Sequence, residues 1–198
     1  MRYYLPNALT IARIALTPVL LVLLLSGTFT GQLAALGLFV VAAFSDYLDG
    51  KLARSFRARS RLGQFLDPFA DKVLVLGTFI CLAILLPQQV PWWAVGVIAG
   101  RDVLVTGLRT WAEARGQSLR TLPLAKTKTT VQLVFLIGVL LLLVLRRLPG
   151  AWGMYARQTL EGPIPFWLLI GLVILTVLTG LWYLQGFWKR TVLHHHDT

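Results

Sequence analysis

The chain has 198 residues, of which 57% are hydrophobic and 14% charged, with a formal net charge of +11. A soluble domain carries about 25% charged residues, so this balance excludes that class and describes an integral membrane protein. The basic residues track the ends of apolar segments and no nucleic-acid motif accompanies them, which points to an anionic membrane face and anionic substrates rather than nucleic acid.

Charge-free windows run from Ile14 to Ser45, Val73 to Gly100, Thr129 to Leu145 and Gly162 to Trp188. A helix needs about 20 apolar residues to cross a bilayer. The first window is too long for one crossing and breaks at Ser26-Gly27-Thr28 and Gly31-Gln32, and the second breaks at Pro87-Gln88-Gln89-Val90-Pro91. Six transmembrane helices are therefore predicted, at 8–26, 33–55, 66–86, 93–114, 125–146 and 164–188, in a single all-α membrane domain spanning 1–198. Lys and Arg concentrate in the N-terminal stretch, the 50–62 loop, the 113–128 stretch and the C-terminal end, so both termini are expected in the cytoplasm. Arg146, Arg147 and Arg157 run against that trend in the 146–163 connection.

In chain order, the first span contains Pro6, Arg13 and Pro18 with no small-residue cleavage site after it, so it reads as a retained helix rather than a signal peptide. The second and third spans hold Asp46, Asp49, Asp67 and Asp71, half of the eight acidic residues of the chain, in one 26-residue window. The spacings i, i+3 and i, i+4 put each pair on one helix face. Four converging carboxylates at a membrane edge repel one another unless cations neutralise them, and hard oxygen donors favour Mg²⁺, Mn²⁺ or Ca²⁺ over zinc. The alternative is four solvated acids pairing with Arg57, Arg59 and Arg61, but carboxylates at a membrane default to a functional site. Gly50 and Gly63 allow close backbone approach, and Arg54 offers a planar five-donor fork, so metal, glycine and arginine together describe a phosphate site.

Cys81 lies mid-span and reads as packing. Trp92, Trp93, Trp152, Trp167 and Trp188 fall near span edges, as interfacial anchors do. Arg101 and Arg109 lie on the fourth span, Arg101 expected toward the bundle interior beside Asp102, and Lys126 and Lys128 open the fifth. Basic residues at span ends also snorkel to headgroups. The terminal His194, His195 and His196 are assigned no role.

The pattern Asp46-x2-Asp49-Gly50-x2-Ala53-Arg54-x8-Gly63-x3-Asp67-x3-Asp71 resembles the signature of the CDP-alcohol phosphotransferases at every fixed position. That resemblance implies a six-helix fold and transfer of a phosphatidyl-type group from a CDP-linked lipid to an alcohol, with release of CMP. It implies two Mg²⁺ or Mn²⁺ ions, held by Asp46, Asp49, Asp67 and Asp71, with Asp71 also the general base. Asn7, Thr10, Gly50, Arg54 and Ser60 match positions that contact the CDP-lipid. The segment 5–132, with Arg101-x7-Arg109, Lys126-x-Lys128-Thr129-Thr130 and the opening Leu5-Pro6-Asn7, is similar to the phosphatidylglycerophosphate synthases, except that Asp102 stands where glutamate is expected. CDP-diacylglycerol as donor and glycerol 3-phosphate as acceptor follow from it, with Arg101, Arg109, Lys126 and Lys128 holding the acceptor phosphate. Inositol phosphate, serine or another alcohol is the alternative acceptor. A homodimer in the cell (inner) membrane, its active site at the cytoplasmic face, is also implied. A cation transporter is the reading from another class, opposed by the absence of an internal repeat and by the position of the aspartates at one edge.

Overall fold

The computed structural model describes residues 4–56, 61–114 and 123–193, and the side chains of 14–45, 72–108, 110–112 and 127–185. All elements described are helices: α1 (Tyr4–Leu25), α2 (Phe29–Phe56), α3 (Arg61–Leu85), α4 (Trp92–Ala114), α5 (Pro123–Leu145), α6 (Ala151–Glu161) and α7 (Ile164–Leu193). Six of these correspond to the expected spans with ends displaced by a few residues.

The break after the first span is shorter than expected. Gly31 and Gln32 belong to α2, because the Thr28 hydroxyl accepts the backbone N–H of Gly31 at 3.1 Å and the Ser26 hydroxyl closes α1 on the Leu23 carbonyl at 2.7 Å. Two hydroxyls complete the turn that a longer loop would otherwise make. The 86–91 connection ends α3 with backbone bonds from Gln89 and Val90 to the Leu86 carbonyl, and Pro91 then leads into α4.

The element absent from the sequence reading is α6. It buries Gly153, Ala156 and Leu160, one narrow stripe, and leaves Trp152 and Tyr155 exposed. Its start depends on two glycines. Gly150 has φ 84°, a conformation that L side chains rarely adopt, and a Cβ on Gly153 would lie 1.9 Å from the Leu148 carbonyl oxygen. The short helix is thereby folded back onto the end of α5.

The core runs along the bundle through Leu20 and Leu24 of α1, Phe39 of α2, Phe79 and Leu82 of α3, Ile98 of α4, Leu136 and Leu140 of α5 and Leu169 of α7, all nearly inaccessible. Phe79 and Phe135 stack with centroids 6.0 Å apart. Cys81 is part of this core. The exterior is apolar as well: Val22, Val41, Phe44, Val134, Leu168 and Leu178 are among the most exposed side chains. Exposed apolar side chains spread over several helices suit contact with lipid rather than with water. Among the described residues, Thr127–Leu145 and Ile164–Gln185 are long and apolar enough to cross a membrane, and Ile14–Leu25, Phe29–Ser45 and Lys72–Leu85 are shorter apolar segments.

The turns at 26–28 and 86–91 and the 146–163 connection share one end of the bundle. Asp46 lies 17 residues beyond the start of α2 and Asp71 lies 14 before the end of α3. At 1.5 Å per residue this puts both backbones about 20–25 Å from that end. The aspartate segment belongs to the opposite end.

Candidate active site

The backbone of Asp46, Asp49, Gly50 and Arg54 is helical in α2, and that of Asp67 and Asp71 is helical in α3, so the i, i+3 and i, i+4 faces exist. The two helices are in contact. The side chains of Asn7, Thr10, Asp46, Asp49, Gly50, Arg54, Asp67, Asp71, Arg109 and Lys126, and the whole of Ser60, lie outside the described residues.

Directly after Asp71 begins a network that is described in full. Lys72 of α3 donates through Nζ to the Asp102 carbonyl of α4 at 2.8 Å and also meets the Thr106 hydroxyl. Lys128 of α5, its side chain 3% exposed, donates to both carboxylate oxygens of Asp102, at 2.8 and 2.9 Å. Arg101 approaches the same carboxylate through Nη1 at 3.2 Å and donates through Nη2 to the Thr179 hydroxyl of α7 at 3.1 Å. One carboxylate thus gathers two side-chain cations, and α3, α4, α5 and α7 are tied together around it. Among the described side chains, three cations face one acid.

A cavity of about 90 Å³ opens onto this network, lined by Lys72, Arg101, Asp102, Lys128, Thr129 and Gln132 among others. Two buried donors there, Arg101 Nε and Gln132 Nε2, have no hydrogen-bond partner. Unsatisfied buried donors are rare and costly, about 1–3 kcal/mol each, unless a ligand or water completes them. Beside those three cations, they describe a place for an anion with several acceptor oxygens.

The structure therefore brings Arg101 and Lys128 of the expected acceptor residues to one cavity. It also engages Lys128 fully with Asp102, a partner that the reading of Lys128 as a phosphate ligand did not include. Lys72, Gln132 and Thr179 complete the cluster without having been named as site residues. For Lys72 the available signal was its place directly after the last aspartate. For Thr179 there was none, since it lies in a uniformly apolar segment.

Gly180 shapes the same place from α7. A Cβ there would stand 3.0 Å from Arg101 Cγ, so the arginine stem runs across bare helix backbone. The last third of the chain thus touches the site even though it carries no recognisable motif.

Residues 3–182 match the CDP-alcohol phosphatidyltransferase family. The chain belongs to that family. It is 35% identical over 151 residues to a CDP-diacylglycerol–glycerol-3-phosphate 3-phosphatidyltransferase of Bacillus subtilis (strain 168), covering 70% of this chain and 77% of that one. A Pseudomonas fluorescens protein of the same name is 31% identical over 194 residues, covering 93% and 90% of the two chains. An Escherichia coli (strain K12) protein of that name is 35% identical over 162 residues, covering 79% and 84%. The matched region ends within α7 at Trp182, so Arg101, Asp102, Lys128 and Thr179 all fall inside it.

Proposed function

We propose that the protein transfers the phosphatidyl group of CDP-diacylglycerol to glycerol 3-phosphate, giving phosphatidylglycerol phosphate and CMP. The observation that carries the acceptor assignment is the cationic cavity with two orphan donors, beginning one residue after Asp71. The three relatives named above bear the name of this reaction.

Asp46, Asp49, Asp67 and Asp71 are an all-carboxylate donor set at helical spacing on two touching helices, and such a set fits Mg²⁺ or Mn²⁺. These four would hold two ions, which would supply charge neutralisation of the pyrophosphate and of the leaving CMP. The protein residues supply the rest. Arg54 clamps a donor phosphate oxygen, and Gly50 lets the backbone approach the nucleotide, with Asn7, Thr10 and Ser60 completing its contacts. The acceptor phosphate is assigned to Arg101, Lys72 and Gln132, with Arg109, Lys126 and Lys128 as its further expected ligands. Asp71 takes the proton of the acceptor's primary hydroxyl as its oxygen bonds to the lipid-linked phosphorus and the bond from that phosphorus to the CMP oxygen breaks. A base so placed contributes on the order of 10²–10⁴ in rate.

In this reading the bundle crosses the inner membrane six times, with both termini and the aspartates at the cytoplasmic face and α6 lying along the opposite one. The acyl chains stay in lipid while the nucleotide and the acceptor come from water. The working unit is a homodimer.

The test is CMP release from CDP-diacylglycerol by purified protein with Mg²⁺ in detergent, offering glycerol 3-phosphate, inositol phosphate or serine, with Asp71→Asn as control. Release is expected with glycerol 3-phosphate, lost in the variant and on chelation. Release with another acceptor alone overturns the acceptor assignment, and none with any acceptor overturns the transferase.

A further inference from the structure

A second cavity, larger than the one beside Asp102, lies at the end of the bundle away from the aspartate segment and shares no lining residue with the proposed acceptor site. It measures about 540 Å³ and is lined by Arg146, Arg147, Arg157, Glu161, Gln88 and Gln89 together with apolar groups. Its walls come from three connections. Gln88 and Gln89 belong to the 86–91 turn, Arg146 and Arg147 follow α5, and Arg157 and Glu161 lie on α6. Arg147 also reaches the first turn, with its guanidinium 3.6 Å from the point where a side chain on Gly27 would begin.

Three guanidiniums face one carboxylate. Arg146 is half-buried, and the charged groups acting on it are Arg147, which repels it, and Glu161, which attracts it. Among the described residues none of the three arginines makes an ion pair within salt-bridge distance. Adjacent guanidiniums repel, and concentrating them around a concave surface costs free energy unless an anion is shared between them. The placement is also built into the backbone. Gly150 and Gly153 hold α6 against the end of α5, and this sets Arg157 opposite Arg146 and Arg147.

The depth of the cavity identifies the anion. Trp92 and Trp93 at the start of α4, Trp152 at the start of α6 and Trp167 near the start of α7 all belong to this end, and each is at least half exposed. Exposed tryptophans ringing one end of an apolar bundle lie at the headgroup level of a bilayer. A guanidinium cluster at that depth meets phosphodiester groups, which accept two parallel N–H bonds from one arginine.

We propose that this cavity binds the headgroup phosphate of an anionic phospholipid, in the leaflet opposite to the one that supplies the donor. The leaflet rests on the membrane orientation proposed above; the binding does not. The neutral amides of Gln88 and Gln89 accommodate headgroup hydroxyls, and the net positive lining favours an anionic lipid over a zwitterionic one.

The experiment is native mass spectrometry of the intact protein from a neutral detergent, with phosphatidylglycerol, phosphatidylcholine of the same acyl chains, or inorganic phosphate added. One more phosphatidylglycerol than phosphatidylcholine is expected to be retained. Arg147→Gln/Arg157→Gln, two exposed positions, is expected to weaken that retention about tenfold. Arg157→Lys should keep most of it. Glu161→Gln should strengthen it, a gain that misfolding cannot imitate. CMP release, measured in parallel, is expected to be unchanged in all three. Equal retention of both lipids, retention unaffected by the double substitution, or displacement by inorganic phosphate at equal concentration each overturns the proposal. Failure of CMP release in the unsubstituted protein would instead count against the transferase and leave the lipid count standing.

Discussion

Asp102 is the residue on which the described site turns. Its carboxylate accepts both bonds from Lys128 and approaches Arg101, at a position only 8% exposed. Removing one member of a buried ion pair leaves the other charge uncompensated and costs about 3–5 kcal/mol, whereas replacing both by apolar groups of similar volume is often neutral. Asp102→Leu alone should therefore lower thermal stability in detergent markedly, and Asp102→Leu/Lys128→Met should recover most of the loss. CMP release should stay low in the double variant, because Arg101 then lacks the carboxylate that holds it and the cavity has lost a cation. A double variant that regains both stability and activity would show the pair to be scaffolding with no bearing on the acceptor. The shorter carboxylate at a position where glutamate was expected also acquires a reason here. The long Lys128 side chain spans the gap from α5 and meets both oxygens of the shorter carboxylate, at 2.8 and 2.9 Å, so the added reach of a glutamate is not required.

At the scale of elements, α7 governs the site through a missing side chain. Gly180 lies against Arg101 Cγ, near the root of the arginine rather than at its flexible tip. A methyl group there must push the stem aside by a few tenths of an ångström. Gly180→Ala is thus expected to raise KM for glycerol 3-phosphate several-fold, on the order of 1 kcal/mol of lost binding, with kcat and KM for the CDP-lipid little changed. Gly171→Ala, at a position with open space in the same helix, is the control and should leave all constants alone. An equal fall in kcat for both substitutions would point to a general effect on α7. The elements themselves were legible to different degrees. Long charge-free runs and their proline and glycine interruptions marked six helices. The short α6 left no such mark, because its buried stripe consists of Gly153, Ala156 and Leu160, of which two are too small to register as hydrophobic periodicity. In the candidate site, the aspartates announced themselves by their density in an acid-poor chain. The anion cavity did not, since Lys72, Asp102, Lys128 and Thr179 lie on four helices and only packing makes them neighbours.

For the molecule as a whole, the two ends of the bundle are chemically opposed, and this opposition makes its orientation testable. One end carries the aspartate segment and the basic stretches around 50–62 and 113–128; the other carries Trp92, Trp93, Trp152 and Trp167, α6 and the arginine cavity. Short basic segments are retained on the cytoplasmic side, and here they outweigh the three arginines of the 146–163 connection. In the proposed orientation those three lie on the far side, and the proposed lipid cavity would account for them there, so they need not count against the charge rule. The sole cysteine, Cys81, is buried in the core at 2% exposure, which leaves the protein silent toward bulky thiol reagents. Gln88→Cys in the 86–91 turn should accordingly be labelled by a membrane-impermeant maleimide in intact spheroplasts. Gln117→Cys, in the basic stretch between α4 and α5, should be labelled only after permeabilisation. Labelling of both from outside would mean that α4 does not cross the membrane, and the reverse pattern would put the aspartates on the side where no cytosolic CDP-lipid precursor or glycerol 3-phosphate can reach them.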